Sequence, residues 1–304
     1  MGWKKLFGGL GGQGGMRAED LACVWPVQAA LGETPVWNGA AQRLTFIDGE
    51  GGRLHTCDAQ GDARVSATLA PPLGFVVRGR RRMWVAQGLS IHPLGADGVL
   101  GPAFVTLPGD PARLRLNDAG SDAEGHLWTG TMDRRGDAPL GTLYRVAPDG
   151  QWTALASDFT IPNGFRFSPD GRSLYVADSA KRTLFRYERT ADGALGTRAA
   201  FALFSEADGY PDGMAVDEEG GLWVAHYDGG RITRFLPDGK RAHSVALPVK
   251  NVTAAAFGGA HHDTLFITTA RRHGAAARSE RDAGGLFAWK APVRGLMLPP
   301  FGAE

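Results

Sequence analysis

A short apolar run recurs along this chain: LTFID from Leu44, MWVAQ from Met83, LWTGT from Leu127, LYVAD from Leu174, LWVAH from Leu222 and LFITT from Leu265. The intervals are 39, 44, 47, 48 and 43 residues. A repeat of that size, built only from strand-length segments, is the signature of a β-propeller with four antiparallel strands per blade. Six runs predict an all-β, six-bladed β-propeller. At roughly 44 residues per blade it needs about 264 residues, which the chain between about residues 20 and 290 supplies.

The segment Tyr210–His226, YPDGMAVDEEGGLWVAH, is the clearest single unit. It reads as a β-hairpin, with two alternating apolar runs joined by an acidic Gly turn and a carboxylate at its mouth. Asp-Gly pairs at 149–150, 170–171 and 238–239 mark further hairpins. A propeller must close its ring, and the apolar stretch 20–31 is expected to do so by pairing with the last blade near Val24–Ala30, which removes exposed strand edges. Residues 1–19 read as a Gly-rich disordered arm, 20–298 as the propeller and 299–304 as a C-terminal tail. Arg271–Gly284 reads as a polar loop of blade six.

Lys and Arg number 33 against 32 Asp and Glu, for a formal charge of +1. That balance argues against a nucleic-acid binder or a membrane-surface protein. No apolar run has the length of a membrane span, and the first residues lack a signal-peptide pattern. Cys23 and Cys57 are too few for a disulfide framework, so both are expected as buried free thiols. A cytoplasmic protein, a monomer or a weak oligomer, is the expectation.

The register of the repeat also locates a site. The first strand of each blade lines the channel and runs antiparallel to the second. Ten to twelve residues before the repeated runs stand Glu33, Arg115 with Asn117, Asn163 and Asp212. Blades one, three, four and five thus bring polar side chains to one mouth. Asn and Asp before Gly are ordinary turn residues, but Glu33 is a poor turn former. Glu33, Asn163 and Asp212 together offer a hard oxygen set suited to a divalent cation. His226, Asp178, Thr131 and Asp48 end second strands at the same face, either supporting the site or bonding backbone. Trp37, Trp128 and Trp223 read as blade core. Ser90, Ser157 and Ser168 lie in no nucleophile elbow.

The motifs LGETPVW, RLNDAGSDAEGHLWTGTM, IPNGFRFSPDG with LYVADS, and PDGMAVDEEGGLWVA resemble those of the regucalcin, gluconolactonase and luciferin-regenerating enzyme family, in order, over about residues 20–298. The resemblance implies a six-bladed propeller with one divalent metal in the channel and, for many members, hydrolysis of sugar lactones. The family's metal-binding Glu, Asn and Asp fall on Glu33, Asn163 and Asp212. Its substrate-contacting Arg and Asn fall on Arg115 and Asn117. The metal is open among Ca²⁺, Mn²⁺, Zn²⁺ and Fe²⁺. The implied partner is a small sugar lactone such as gluconolactone, xylonolactone or arabinolactone, with Asp212 as both ligand and proton acceptor. The competing expectations are a non-enzymatic calcium-binding or protein-docking propeller and a broader ester or organophosphate hydrolase. Two departures stand out. Thr34 replaces the usual Gly after the Glu, and a Glu that contacts substrate in some members aligns near Arg135, where Asp133 is the nearest acid.

Overall fold

In the computed structural model of the chain, residues 21–190, 193–271 and 280–302 are described. The 1–19 arm lies outside them, as does the middle of the polar loop of blade six. β1 (Ala22–Trp25) precedes blade one, which comprises β2 (Gly32–Asn38), β3 (Arg43–Asp48), β4 (Arg53–Cys57) and β5 (Val65–Thr68). Blade two holds β6 (Leu73–Arg78), β7 (Met83–Gln87), β8 (Ser90–Pro93) and β9 (Val105–Thr106). Blade three is built from β10 (Leu114–Ser121), β11 (Leu127–Asp133), β12 (Gly141–Val146) and β13 (Trp152–Phe159). In blade four run β14 (Pro162–Phe167), β15 (Ser173–Asp178), β16 (Thr183–Arg189) and β17 (Leu195–Leu203). Blade five has β18 (Tyr210–Val216), β19 (Leu222–Tyr227), β20 (Arg231–Phe235) and β21 (Arg241–Ala246), and blade six β22 (Val252–Gly258), β23 (Thr264–Thr269) and β24 (Leu286–Lys290).

Every sheet is four-stranded and antiparallel, and the sixth has the order β1-β24-β23-β22. The N-terminal strand therefore completes the last blade. It ends earlier than the expected Val24–Ala30, because Pro26 has no N–H to continue the ladder and Gln28 turns to φ 59°. The innermost strands pack in a ring, β2 on β6 through to β22 on β2. Six apolar clusters form the core, one at each junction between neighbouring blades. Trp128 and Trp223 are fully buried within it and Trp37 nearly so. Among the described residues the only helical element is a 3-10 turn at Glu206–Asp208, and no helix is long and apolar enough to cross a membrane. Cys57 is buried, while Cys23 is half-buried rather than buried as expected; both are free.

The acidic Gly turns have a structural role. Asp217 accepts the Trp223 indole N–H at 2.9 Å and the Gly221 amide at 2.8 Å. Asp122 does the same for Trp128 at 2.8 Å and His126 at 2.8 Å. Each carboxylate ties the turn to the tryptophan of the repeated run. At the same end of the disc, Leu296–Pro299 lies across the channel floor. Arg78 donates to the Leu298 carbonyl at 2.9 Å, Ser121 donates to the Pro299 carbonyl, and Phe301 is buried beside Trp84 and Phe104. The segment Leu296–Phe301 thus covers the channel at this end of the disc.

Candidate active site

Glu33, Asn117, Asn163 and Asp212 lie on β2, β10, β14 and β18, the innermost strands of four blades. All four strands slip register at this level: between Glu33 and Val36, Leu116 and Ala119, Asn163 and Arg166, and Pro211 and Met214. Asn117 and Asp212 fall inside the slips, while Glu33 and Asn163 are the last paired residues before them; a bulge there breaks the in-out alternation and re-aims side chains. Thr34 takes φ 46° and Gly164 φ 69° at two of the bulges. The first is costly for a β-branched residue, and the Thr34 hydroxyl compensates by accepting the buried Val76 amide at 3.0 Å. The second needs glycine: a Cβ on Gly164 would also lie 2.2 Å from the Met214 side chain.

A chain of hydrogen bonds crosses the mouth. Arg115 Nη1 donates to Asn117 Oδ1 at 2.8 Å, and Asn117 Nδ2 donates to Asn163 Oδ1 at 2.7 Å and to the Pro162 carbonyl at 3.0 Å. Asn163 Nδ2 donates to Ser179 Oγ at 2.8 Å, and that hydroxyl donates to the Pro211 carbonyl at 2.6 Å, one residue before Asp212. Asn163 is thereby held at both ends of its amide, with one lone pair of its carbonyl oxygen free. Asn117 spends its amide hydrogens on this link, so only Oδ1 has capacity left for a ligand.

The electrostatics centre on three carboxylates. Burial, then the charges of Asp212 and Asp118, push the Glu33 carboxyl well above its usual range. Burial, then Asp118, does the same to Asp212. Asp118 is buried behind them and raised by burial, with Arg166 and the Gly164 and Ala119 amides opposing. Its Oδ2 accepts the Gly164 amide at 2.6 Å, which fixes the turn carrying Asn163. Arg115 and the buried Arg166 are both lowered chiefly by burial. Three carboxyls against two guanidiniums would carry a net negative charge when ionised, where water is scarce. Such a cluster is costly unless a cation neutralises it, and the donors facing the channel are all oxygen. The residues therefore fit a hard divalent cation at Glu33, Asn163 and Asp212.

The strand-end candidates turn out to bond protein instead. Asp48 accepts the Ala30, Leu31 and Gly51 amides at 2.9, 3.0 and 2.8 Å. Asp178 accepts those of Thr160 and Ile161 at 2.9 and 3.2 Å, so both clamp the incoming loop of their blade. His226 is buried with Nδ1 2.7 Å from the Asp208 carbonyl, and burial lowers its pKa to about 4, which keeps it neutral. Thr131 Oγ1 accepts the Thr142 amide at 3.1 Å. Sequence reasoning missed Asp118, Ser179 and Arg166. The first was visible as the partner of Asn117 in the Asn-Asp-Ala-Gly segment; the others carry no pattern. A second carboxylate-imidazole group, Asp122, Glu124 and His126, gathers ligand atoms within 4.8 Å of one another. It sits at the β10–β11 turn, at the far end of blade three from Asn117. Asp122 there is already engaged by Trp128, His126 and, at 3.2 Å, Arg189, the role Asp217 fills in blade five.

The chain belongs to the SMP-30/Gluconolactonase/LRE-like family, whose profile matches residues 31–271. It is 35% identical to a 6-deoxy-6-sulfogluconolactonase of Pseudomonas putida over 93% of this chain and 99% of that protein. It is 32% identical to a pentonolactonase of Haloferax volcanii over 89% and 92%. Among solved structures, the calcium-binding protein regucalcin of Agrobacterium tumefaciens superimposes with a TM-score of 0.86 at 27% identity, over 92% and 96% of the two chains.

Proposed function

We propose that this protein is a cation-dependent sugar lactonase that opens an aldonolactone to the aldonic acid. The observation that carries the reading is the hydrogen-bonded chain from Arg115 through Asn117 to Asn163 and Ser179, which ends on the carbonyl before Asp212, with Glu33 near enough to Asp212 to feel its charge. Its family relatives named as lactonases support the substrate class. A divalent cation held by Glu33, Asn163 and Asp212 supplies Lewis acidity toward the lactone carbonyl. Asp212, forced toward higher proton affinity by burial and Asp118, accepts the proton of the attacking water. Arg115 Nη2 and Nε have no hydrogen-bond partner among the described residues, and they orient the sugar oxygens by charge-assisted donation. The remaining Asn117 lone pair accepts a sugar hydroxyl. The two free thiols accord with a reducing cytoplasm.

The test is a substrate panel with the protein loaded in turn with calcium, manganese, zinc or ferrous ion, each rate corrected for spontaneous hydrolysis. Aldonolactones are expected to reach kcat/KM of about 10⁴ M⁻¹ s⁻¹ or more, with aryl esters and phosphotriesters well below. The reverse order would make this a broader ester hydrolase. Tight calcium binding without turnover of any member would make it a binding propeller. Asp118→Asn should weaken cation affinity by about 10- to 100-fold, as loss of a buried group that holds a ligand does. Calorimetric titration checks this, and an unchanged affinity would remove Asp118 from the site's support.

A further inference from the structure

The rim of the mouth on blade three carries cations that the hydrolytic chemistry does not use. The Arg134 amide donates to the Arg113 carbonyl at 2.8 Å, so the two residues stand opposite each other just before β10 and just after β11. Arg115 pairs with Met132 in the same ladder. Arg134 is therefore the diagonal neighbour of Arg115, with Cα atoms about 7–8 Å apart on one face, within reach of long side chains. The charge of Arg134 bears on Arg115 directly.

The neighbours of these arginines differ in one respect. Arg115 is surrounded by the negative charges of Glu33, Glu50 and Asp212. Arg113 stands 3.7 Å from the buried Asp133, which is the acid of the turn, and Asp137 acts on Asp133 in turn. Arg134 and Arg135 are exposed and have no ion-pair partner among the described residues. An exposed guanidinium is a donor fork that matches carboxylate, phosphate and sulfonate oxygens.

Arg115 is partly buried beside Glu33 and Asp212, and Arg134, its diagonal neighbour, is exposed. We propose that the site takes sugar lactones bearing an anionic group on the carbon farthest from the lactone carbonyl, and that Arg134, with Arg135 beside it, holds that group. This rests on the lactonase reading and narrows it. The neutral sugar face is left to Arg115 and Asn117, and the rim supplies discrimination.

The experiment compares gluconolactone with its derivatives carrying a carboxylate, a phosphate or a sulfonate at C6, on the full-length, cation-loaded protein. The expected ratio of kcat/KM, best anionic lactone over neutral, is at least about tenfold, the scale of one charge-assisted hydrogen bond. The ordering of the three derivatives separates planar from tetrahedral anions. Added salt should shrink the ratio by screening the exposed pair. In the Arg134→Gln, Arg135→Gln double variant the ratio should collapse toward one, with the loss in KM. Arg134→Lys should restore part of it, since charge survives and the fork does not. A neutral lactone turned over as well as every anionic one, or a double variant with an unchanged ratio, would overturn the inference and leave the lactonase reading standing. A folded, loaded protein that hydrolyses none of the four would overturn both.

Discussion

Asp212→Asn should lower kcat on an aldonolactone by about 10²–10⁴, the usual value of a positioned general base. The amide keeps a neutral oxygen facing the channel but accepts no proton at neutral pH. The protein prepares Asp212 to accept one. The side chain is buried, and with Asp118 behind it the carboxyl sits well above its ordinary range. The Gly213 amide and Arg115 hold the shift in check. Cation affinity must be measured beside the rate, because Asp212 is also a candidate ligand. At saturating cation, Asp212→Asn and Arg115→Ala should part company. The first loses kcat, and the second chiefly raises KM if Arg115 binds ground and transition states alike. A variant that holds its cation and keeps near-parental kcat would show that Asp212 is not the proton acceptor.

The propeller was legible because its evidence is periodic. Six strand-length runs at nearly constant intervals leave few alternatives, and the innermost-strand register follows from counting back one hairpin. Counting back reached Glu33, Asn117, Asn163 and Asp212 as a set, which the structure places on four innermost strands. The bulges that aim them were not legible. A register slip depends on how two strands meet, and only Gly164 among these positions announces a backbone that other residues resist. Likewise Asp48 and Asp178 share a face with the site in the repeat, yet their oxygens are spent on backbone amides. Strand position says which end of a blade a residue occupies, not what its side chain will meet there. The channel floor was missed for a different reason. Leu296–Phe301 has neither strand nor helix period, and its placement depends on side-chain donors and rings supplied by blades two and three.

Withdrawing the divalent cation should abolish lactone hydrolysis down to the spontaneous rate and, separately, lower the thermal midpoint. The second effect follows from the cost of ionising the channel. Glu33, Asp118 and Asp212 outnumber Arg115 and Arg166 by one acid, and burial with mutual charge raises all three carboxyls, so their ionised forms are strained in the folded state until a bound cation relieves them. A ligand present at about 100 times its Kd stabilises the folded state by about 2.7 kcal/mol, provided the unfolded chain does not bind it. Dialysis against a chelator, followed by denaturant melts with and without added calcium, manganese, zinc or ferrous ion, reads this without reference to turnover. Glu33→Gln removes one of the opposing charges, so the melt of the chelated variant should rise toward or above that of the chelated parent, while the gain on adding cation shrinks. A parent protein whose midpoint and activity ignore chelation would mean that the three carboxylates persist by sharing protons instead, and the cation-dependent reading would fall.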